Sequence, residues 1–191
     1  MTNAQTPIGR ISFPNLLKPK LNDMNPAAPK MEYSVDILFT KDTDISVLKD
    51  AVDKAIGEKW GAKPPKGLRS PIKDGDGHKS NGEPYAPEYH DHYFVTLKTT
   101  RKPGVVDAAT QPIIAEEDIY GGCFGRASFN SFAYEKGGNK GVSLSLINFQ
   151  KVKEGEPFGA SRIDAESEFE SISEGADDAA NYAPKKKSIL G

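Results

Sequence analysis

The sequence predicts a mainly β domain with one α-helix, long loops and an acidic C-terminal tail. Three observations carry this reading. Glycine and proline are abundant, 18 and 14 in 191 residues, and they separate short segments as turn residues do. Apolar residues alternate with period two along several stretches but recur at helical spacing along only one. Between Asp164 and Asp178 there are seven acids and no base, and so little apolar surface cannot offset the entropy of folding. The expected organisation is therefore a folded domain over residues 1–160 and a flexible, disordered acidic tail over 161–191.

The elements follow in order. Residues 8–14 alternate and meet Pro14, which predicts a short strand followed by a loop through Lys20. In residues 31–40, Tyr33, Val35, Ile37 and Phe39 share one face, against Ser34, Asp36, Leu38 and Thr40. Residues 44–59 change period: Ile45, Leu48, Val52, Ala55 and Ile56 recur at steps of three and four. Asp42, Thr43 and Asp44 are N-cap candidates for this helix, and Gly61 follows its end. Residues 61–91 form a long polar connection of the kind that is usually functional or disordered. A strand returns over 92–100, with Tyr93, Val95, Leu97 and Thr99 on one face and His92, Phe94, Thr96 and Lys98 on the other. Residues 119–135 and 142–152 read as a hairpin joined by a Gly-rich turn.

Charge and cysteine usage exclude several classes. The formal net charge of −2 divides into +3 over residues 1–153 and −5 over 154–191, so a mildly basic body carries an acidic end. One cysteine, Cys123, permits no internal disulfide and implies no secreted framework. The first residues lack an apolar signal-peptide region, and no run is long enough to span a membrane. A cytoplasmic location is expected.

Candidate chemistry is thin. His78, His90, His92 and Cys123 are the only histidines and cysteine, and tight pairs of zinc ligands are missing. A calcium loop counted from Asp74 would need Gly at its sixth position and Glu at its twelfth, where Lys79 and Tyr85 stand. There is no G-x-S-x-G elbow and no phosphate-binding G-x-x-x-x-G-K-[ST] loop. A serine, histidine and aspartate set is not local in sequence and stays open. The chain therefore reads as a binding protein, not an enzyme, with no cofactor.

What remains is a pattern of cations among aromatics. Along Gly125–Tyr134, Arg126, Ser128, Asn130, Phe132 and Tyr134 share a face with Phe124, while Gly125, Ala127, Phe129, Ser131 and Ala133 share the other. Unpaired nucleic acid asks for this mixture, because bases stack on rings and phosphates need cations. The opposite reading, with both rings in the core and Arg126 in a surface ion pair, fits the strand alone equally well. Lys98, Arg101 and Lys102 end a strand, Lys136 and Lys140 flank the hairpin turn, Arg10, Lys18 and Lys20 surround Phe13, and Lys63, Lys66, Arg69 and Lys73 lie in the long loop beyond Trp60. Cations thus recur at strand ends and loops.

Several segments carry a resemblance. They are Gly9–Leu16, Leu38–Lys41, Pro71–Asp76, Lys102–Asp107, Arg126–Ser128 with Phe132–Tyr134, Asn139–Ser143 and Asn148–Val152. In this order, over residues 8–160, the chain resembles a phage and prophage family of single-stranded DNA-binding proteins. The resemblance implies a five-stranded OB-fold barrel and sequence-independent binding of single-stranded DNA in phage replication and recombination. It also implies an acidic tail that recruits phage DNA polymerase or recombination proteins or shields the DNA groove. Such tails often end in acids and an aromatic residue, whereas this one ends in Lys185, Lys186, Lys187 and then Ser188–Gly191.

The expected DNA-binding residues are Arg126, Phe132 and Tyr134 on the sheet, with Lys98, Arg101, Lys102, Lys136 and Lys140 at its rim. Trp60 and Tyr93 are further candidates that would serve equally well as core. The rivals are a phage accessory β-barrel that packs its rings at a subunit interface, and a nuclease using Asp74, Asp76 and His78. A homodimer is compatible with the reading.

Overall fold

The computed structural model describes residues 3–22 and 28–159. They form β1 (Ala4–Gln5), β2 (Gly9–Asn22), β3 (Lys30–Thr40), α1 (Ser46–Trp60), β4 (Ile72–Asp74), β5 (His92–Thr99), β6 (Gly104–Val106), β7 (Phe124–Lys136) and β8 (Asn139–Lys153). The acidic tail of the sequence reading lies outside the described residues.

Five of these strands close a ring. β2 pairs with β3, β3 with β5, β5 with β8, β8 with β7, and β7 with β2. Only the β5–β8 contact of this ring is parallel. A five-stranded Greek-key barrel in this order is the OB-fold, as expected. β1 pairs with β7, β4 with β5 and β6 with β8, outside the ring.

Period-two alternation decides what fills the barrel. Val35, Ile37 and Phe39 of β3 meet Val95 and Leu97 of β5, Ala127 and Phe129 of β7, and Leu144, Leu146 and Phe149 of β8 in one buried cluster. Ile45 and Leu48 join it at the start of α1, and Val47 and Ala51 pack against it. The faces read from sequence for β3 and β5 are those observed.

The differences have local causes. β2 does not stop at Pro14 but continues through Pro19 to Asn22. Its pairing with β3 slips between Ser12 and Asn15 and again between Asn15 and Lys20. Bulges of this kind admit proline, because the ladder is already interrupted there. The strand expected over 119–135 begins only at Phe124. Before it, Gly122 sits at φ 115, and a β-carbon there would lie 2.1 Å from the Glu156 carbonyl oxygen. β1, β4 and β6 are too short to show a period. Ile45 occupies the helix N-cap position without a capping bond. Asp44 contributes from one residue earlier, its carboxylate accepting the Ser46 N–H at 2.9 Å. Gly61 ends the helix at φ 60, its N–H donating to the Gly57 carbonyl at 2.9 Å.

The long polar connection is ordered. It contributes β4 and a 3₁₀ turn at Pro87–Tyr89 and lies against the outside of β3 and β5. Asp74 and Asp76 both pair with Lys41. The Asp91 N–H, then Lys41, hold the Asp76 carboxyl down to about 2. Among the described residues no group of three or more His, Cys, Asp and Glu is placed to hold a metal ion. Cys123 is buried, and burial pushes its thiol upward. No helix of the described residues is long and apolar enough to cross a membrane.

Candidate nucleic-acid interface

Residues opposite each other in a ladder point to the same side of a sheet. Following the registers around the ring therefore identifies a row on the outside of the barrel. Asn15 of β2 is opposite Ser34 of β3, Ser34 is opposite Lys98 of β5, Lys98 is opposite Ser145 of β8, and Ser145 is opposite Asn130 of β7. Their neighbours Val35, Leu97, Leu144 and Phe129 are buried in the core, so the row itself faces out. Asn15 Nδ2 donates to Ser34 Oγ at 3.2 Å. The result is a belt of short polar side chains with one exposed cation, Lys98, near its middle.

On one side of this belt the outer face is covered by the protein's own rings. Leu38 and Phe94 point outward, yet both are buried, beneath Tyr89 and Tyr85 of the long connection. Tyr89 and Tyr85 meet the Phe94 ring edge-on at centroid distances of 4.7 and 4.9 Å. Tyr89 Oη donates to Asp36 Oδ2 at 2.7 Å, and Ser12 Oγ to Glu88 Oε1 at 3.4 Å. Burial raises the Asp36 carboxyl above the usual range, against hydrogen bonds from Tyr89 and Thr96 and the charges of Lys73 and Lys98. Lys73, opposite Phe94 in the β4–β5 ladder, holds its ammonium 5.4 Å from that ring.

Toward β7 the same face is open. Phe132, opposite Ser143, is 49% exposed. Tyr134 is half-buried beside Gly141, where a β-carbon would lie 3.0 Å from the tyrosine hydroxyl. Gly125, Ala127 and Phe129 on the alternate positions are buried, as the small-residue reading of this strand anticipates. At Gly125 only hydrogen fits, since a β-carbon would stand 2.2 Å from Phe149 Cζ. Arg126 shares the outer face but sits about 20 Å along the strand from Phe132, at a rise of about 3.3 Å per residue. Its Nε donates to Gln150 Oε1 at 3.0 Å, and Gln150 Nε2 donates in turn to the Asp107 carbonyl at 3.1 Å. Arg126, Ser128, Asn148 and Gln150 line a shallow depression of about 330 Å³.

Other expected residues lie elsewhere. Lys140 is opposite Glu135, on the α1 side of the hairpin, and the two pair at 2.8 Å. Trp60 joins them, its Nε1 3.5 Å from Glu135 Oε2, and Lys140 and then Trp60 lower the Glu135 carboxyl. Trp60 and Lys140 are thus on the opposite face from Phe132 and Tyr134. Tyr93 points inward, packs on the core and lies 4.2 Å beneath the Lys41 ammonium. Arg101 and Lys102 are exposed just beyond the end of β5, and Lys136 is exposed at the hairpin end. Arg10 and Lys18 do not gather around Phe13. Arg10 stacks on Phe158 at 4.1 Å, and Lys18 pairs with Glu116 at 2.5 Å.

Phe13 itself is the ring that strand periodicity misses. It is 65% exposed, between the outward residues Ser12 and Asn15, and holds φ at 44, a region that non-glycine residues avoid. Asn15 Nδ2 also donates to its carbonyl at 3.1 Å. The Phe-Pro-Asn triplet inside an alternating run is the sequence sign of such a bulge. Tyr85 and Tyr89 had no such local sign, since an outward ring is covered at Phe94 and left exposed at Phe132.

The outside of an OB-fold's second and third strands is where that fold takes oligonucleotides, and here those strands are β3 and β5. Comparisons with known proteins agree with the architecture. Protein p50 of Acyrthosiphon pisum secondary endosymbiont phage 1 is 28% identical, covering 86% of this chain and 90% of p50. The structure of the single-stranded DNA-binding protein from bacteriophage Enc34 in complex with ssDNA superposes with a TM-score of 0.65 at 24% identity, covering 81% of this chain and 88% of that one. Bacteriophage T7 gp2.5, a single-stranded DNA-binding protein, shares the fold at a TM-score of 0.57 and 15% identity, covering 84% and 96%. A family model built around the Enterobacter phage Enc34 ssDNA-binding protein matches residues 2–180, and the chain belongs to that family.

Proposed function

We propose that this protein is a non-enzymatic, sequence-independent single-stranded DNA-binding protein of phage replication and recombination, acting in the cytoplasm of the bacterial host. One observation carries the reading: the outward belt Asn15–Ser34–Lys98–Ser145–Asn130, with exposed rings at Phe13 and Phe132. Short polar side chains leave room for a strand to lie close. Lys98, with Lys73 and Arg126 on the same face and Arg101, Lys102 and Lys136 near its edges, supplies phosphate charge. Each neutralised phosphate releases counterions, so affinity falls as salt rises. Phe13, Phe132 and Tyr134 offer flat apolar faces, each stacked base contributing about 1–3 kcal/mol with little sequence preference. The covered rings Tyr85, Tyr89 and Phe94 shape the wall of the path and are not free to stack. Residues 161–191 then serve as the recruiting tail for phage DNA polymerase or recombination proteins.

Electrophoretic titration with single- and double-stranded oligonucleotides, with and without magnesium, tests the assignment. The expected outcome is preferential retardation of single strands, independent of magnesium and weakened by salt. The double variant Arg126→Ala with Tyr134→Ala should weaken binding to oligo-dT. Magnesium-dependent degradation would instead point to a nuclease. Stable oligomers that bind no DNA would point to an accessory barrel.

A further inference from the structure

The two edges of the β7–β8 hairpin are finished differently. The outer edge of β8 is covered: Arg69 N–H donates to the Lys140 carbonyl at 2.9 Å, and Val142 N–H donates to the Arg69 carbonyl at 3.0 Å. The far edge of β7 pairs with β2 at Phe124 and Gly125 and with β1 at Ser128 and Phe129. Among the described residues, no strand pairs with that edge along Ser131–Glu135. An uncovered edge of this kind is a template for another strand.

The turn fixes which groups this edge offers. Lys136 and Asn139 flank a two-residue turn, Gly137 at φ 58 and Gly138 at φ 79, so they form a hydrogen-bonded pair. Even-numbered residues of β7 therefore bond to β8, and Ser131, Ala133 and Glu135 aim their N–H and C=O at the open edge. Ala127 follows the same parity, its carbonyl accepting the Thr6 N–H at 2.9 Å on that side. Where this edge begins, a slot of about 810 Å³ separates Ala4, Phe129 and Ser131 from α1 at Val47, Ala51 and Lys54, and Ser131 Oγ donates to the Ala51 carbonyl of that helix at 2.8 Å.

We propose that the Ser131–Glu135 edge pairs antiparallel with the same edge of a second copy of this chain, with the twofold axis at Ala133. This register sets Ser131 opposite Glu135, Phe132 opposite Tyr134, and Ala133 opposite itself. All three fits are favourable. The small alanine lies on the axis, where a larger side chain would meet its own copy. The only charge in the segment, Glu135, faces a serine and is already paired with Lys140 in its own chain. Phe132 meets Tyr134 at the close, non-hydrogen-bonded spacing, where cross-strand aromatic pairs interact best. A twofold normal to the sheet keeps both outer faces on one side. Four rings, Phe132 and Tyr134 from each copy, then form one continuous platform. The role of that platform in stacking bases rests on the proposed single-stranded DNA reading; the pairing itself does not.

The test uses the full chain and its Ala133→Pro variant. Proline removes an N–H aimed at the open edge and leaves the β7–β8 bonds in place, as proline does on edge strands. Sedimentation velocity without DNA, and on oligo-dT long enough for two copies, should show dimers for the native chain. The variant should dimerise at least roughly tenfold more weakly, with unchanged binding to an oligo-dT that holds one copy. Equal dimerisation of variant and native chain, or a native chain that stays monomeric both free and on DNA, overturns the proposal. Should the proline variant misfold, Ala133→Cys decides: a short bismaleimide should join two chains at that position, with Cys123 buried, and failure to cross-link overturns the pairing. If the native chain does not bind the short oligo-dT, the DNA reading falls, while sedimentation without DNA still judges the edge.

Discussion

The outer face of this barrel has a covered half and an open half, and both carry aromatics. Over β3 and β5, Phe94 is sealed beneath Tyr85 and Tyr89, and the Tyr89 hydroxyl is tied to Asp36. Over β7 and β8, Phe132 stands half in water beside Ser143. Both rings occupy outward positions of regular strands. The difference lies in what the rest of the chain places above them. Rings of the same type therefore serve stability in one half and, on our reading, recognition in the other.

Removing one ring from each half should separate the two roles. Phe94→Ala should cost about 3–5 kcal/mol of folding stability, the usual range for emptying a buried phenylalanine site, as measured by urea denaturation. Phe132→Ala should leave the urea midpoint nearly unchanged and weaken oligo-dT binding by about 1–3 kcal/mol. If Phe132→Ala destabilises as much as Phe94→Ala, the distinction between the halves collapses.

A smaller contrast sharpens the face assignment. Lys98 lies in the belt, whereas Lys140 is on the α1 side and paired with Glu135. Lys98→Ala should reduce the slope of log affinity against log salt by about 0.7, the value for one phosphate on a single strand. Lys140→Ala should leave that slope where it is. Equal changes would mean that the DNA path does not respect the two faces.

The smallest expected effect concerns the boundary between the halves. Burial raises the Asp36 carboxyl in the folded protein, so the folded state holds its proton more tightly than the unfolded chain does. Its contribution to stability is therefore most favourable at low pH. It declines as pH rises from the ordinary carboxylate value through the raised one. Asp36→Asn keeps an acceptor for Tyr89 and removes that decline, which denaturation at a series of pH values would detect. The same change takes an anion from beside Lys73 and Lys98 and should modestly tighten DNA binding.

Much of the barrel was legible because period two is a local property. Val35, Ile37 and Phe39 announce their face within one strand, and so do Gly125, Ala127 and Phe129. The bulged half of β2 was not legible. Pro14 and Pro19 read as breakers, while the neighbouring ladder tolerates them through two slips of register. Lys140 read as a rim residue and Trp60 as a further candidate that could equally be core, yet strand parity turns Lys140 toward Glu135 on the α1 side, where Trp60 at the end of α1 joins it. Phe13 was noticed for its cations, but what marks it is a strained, exposed backbone position.

By itself the sequence determined the strand faces, the single helix ended by Gly61, the compositional break before the acidic tail, and the ordered segments that resemble its family. These follow from spacing and composition along the chain. Only the tertiary structure decided that Asn15, Ser34, Lys98, Ser145 and Asn130 form one row, that Tyr85 and Tyr89 seal half of the face, and that no strand of the described residues pairs with β7 along Ser131–Glu135. A row across five strands depends on the register of four separate pairings, and register is set by packing between segments far apart in sequence.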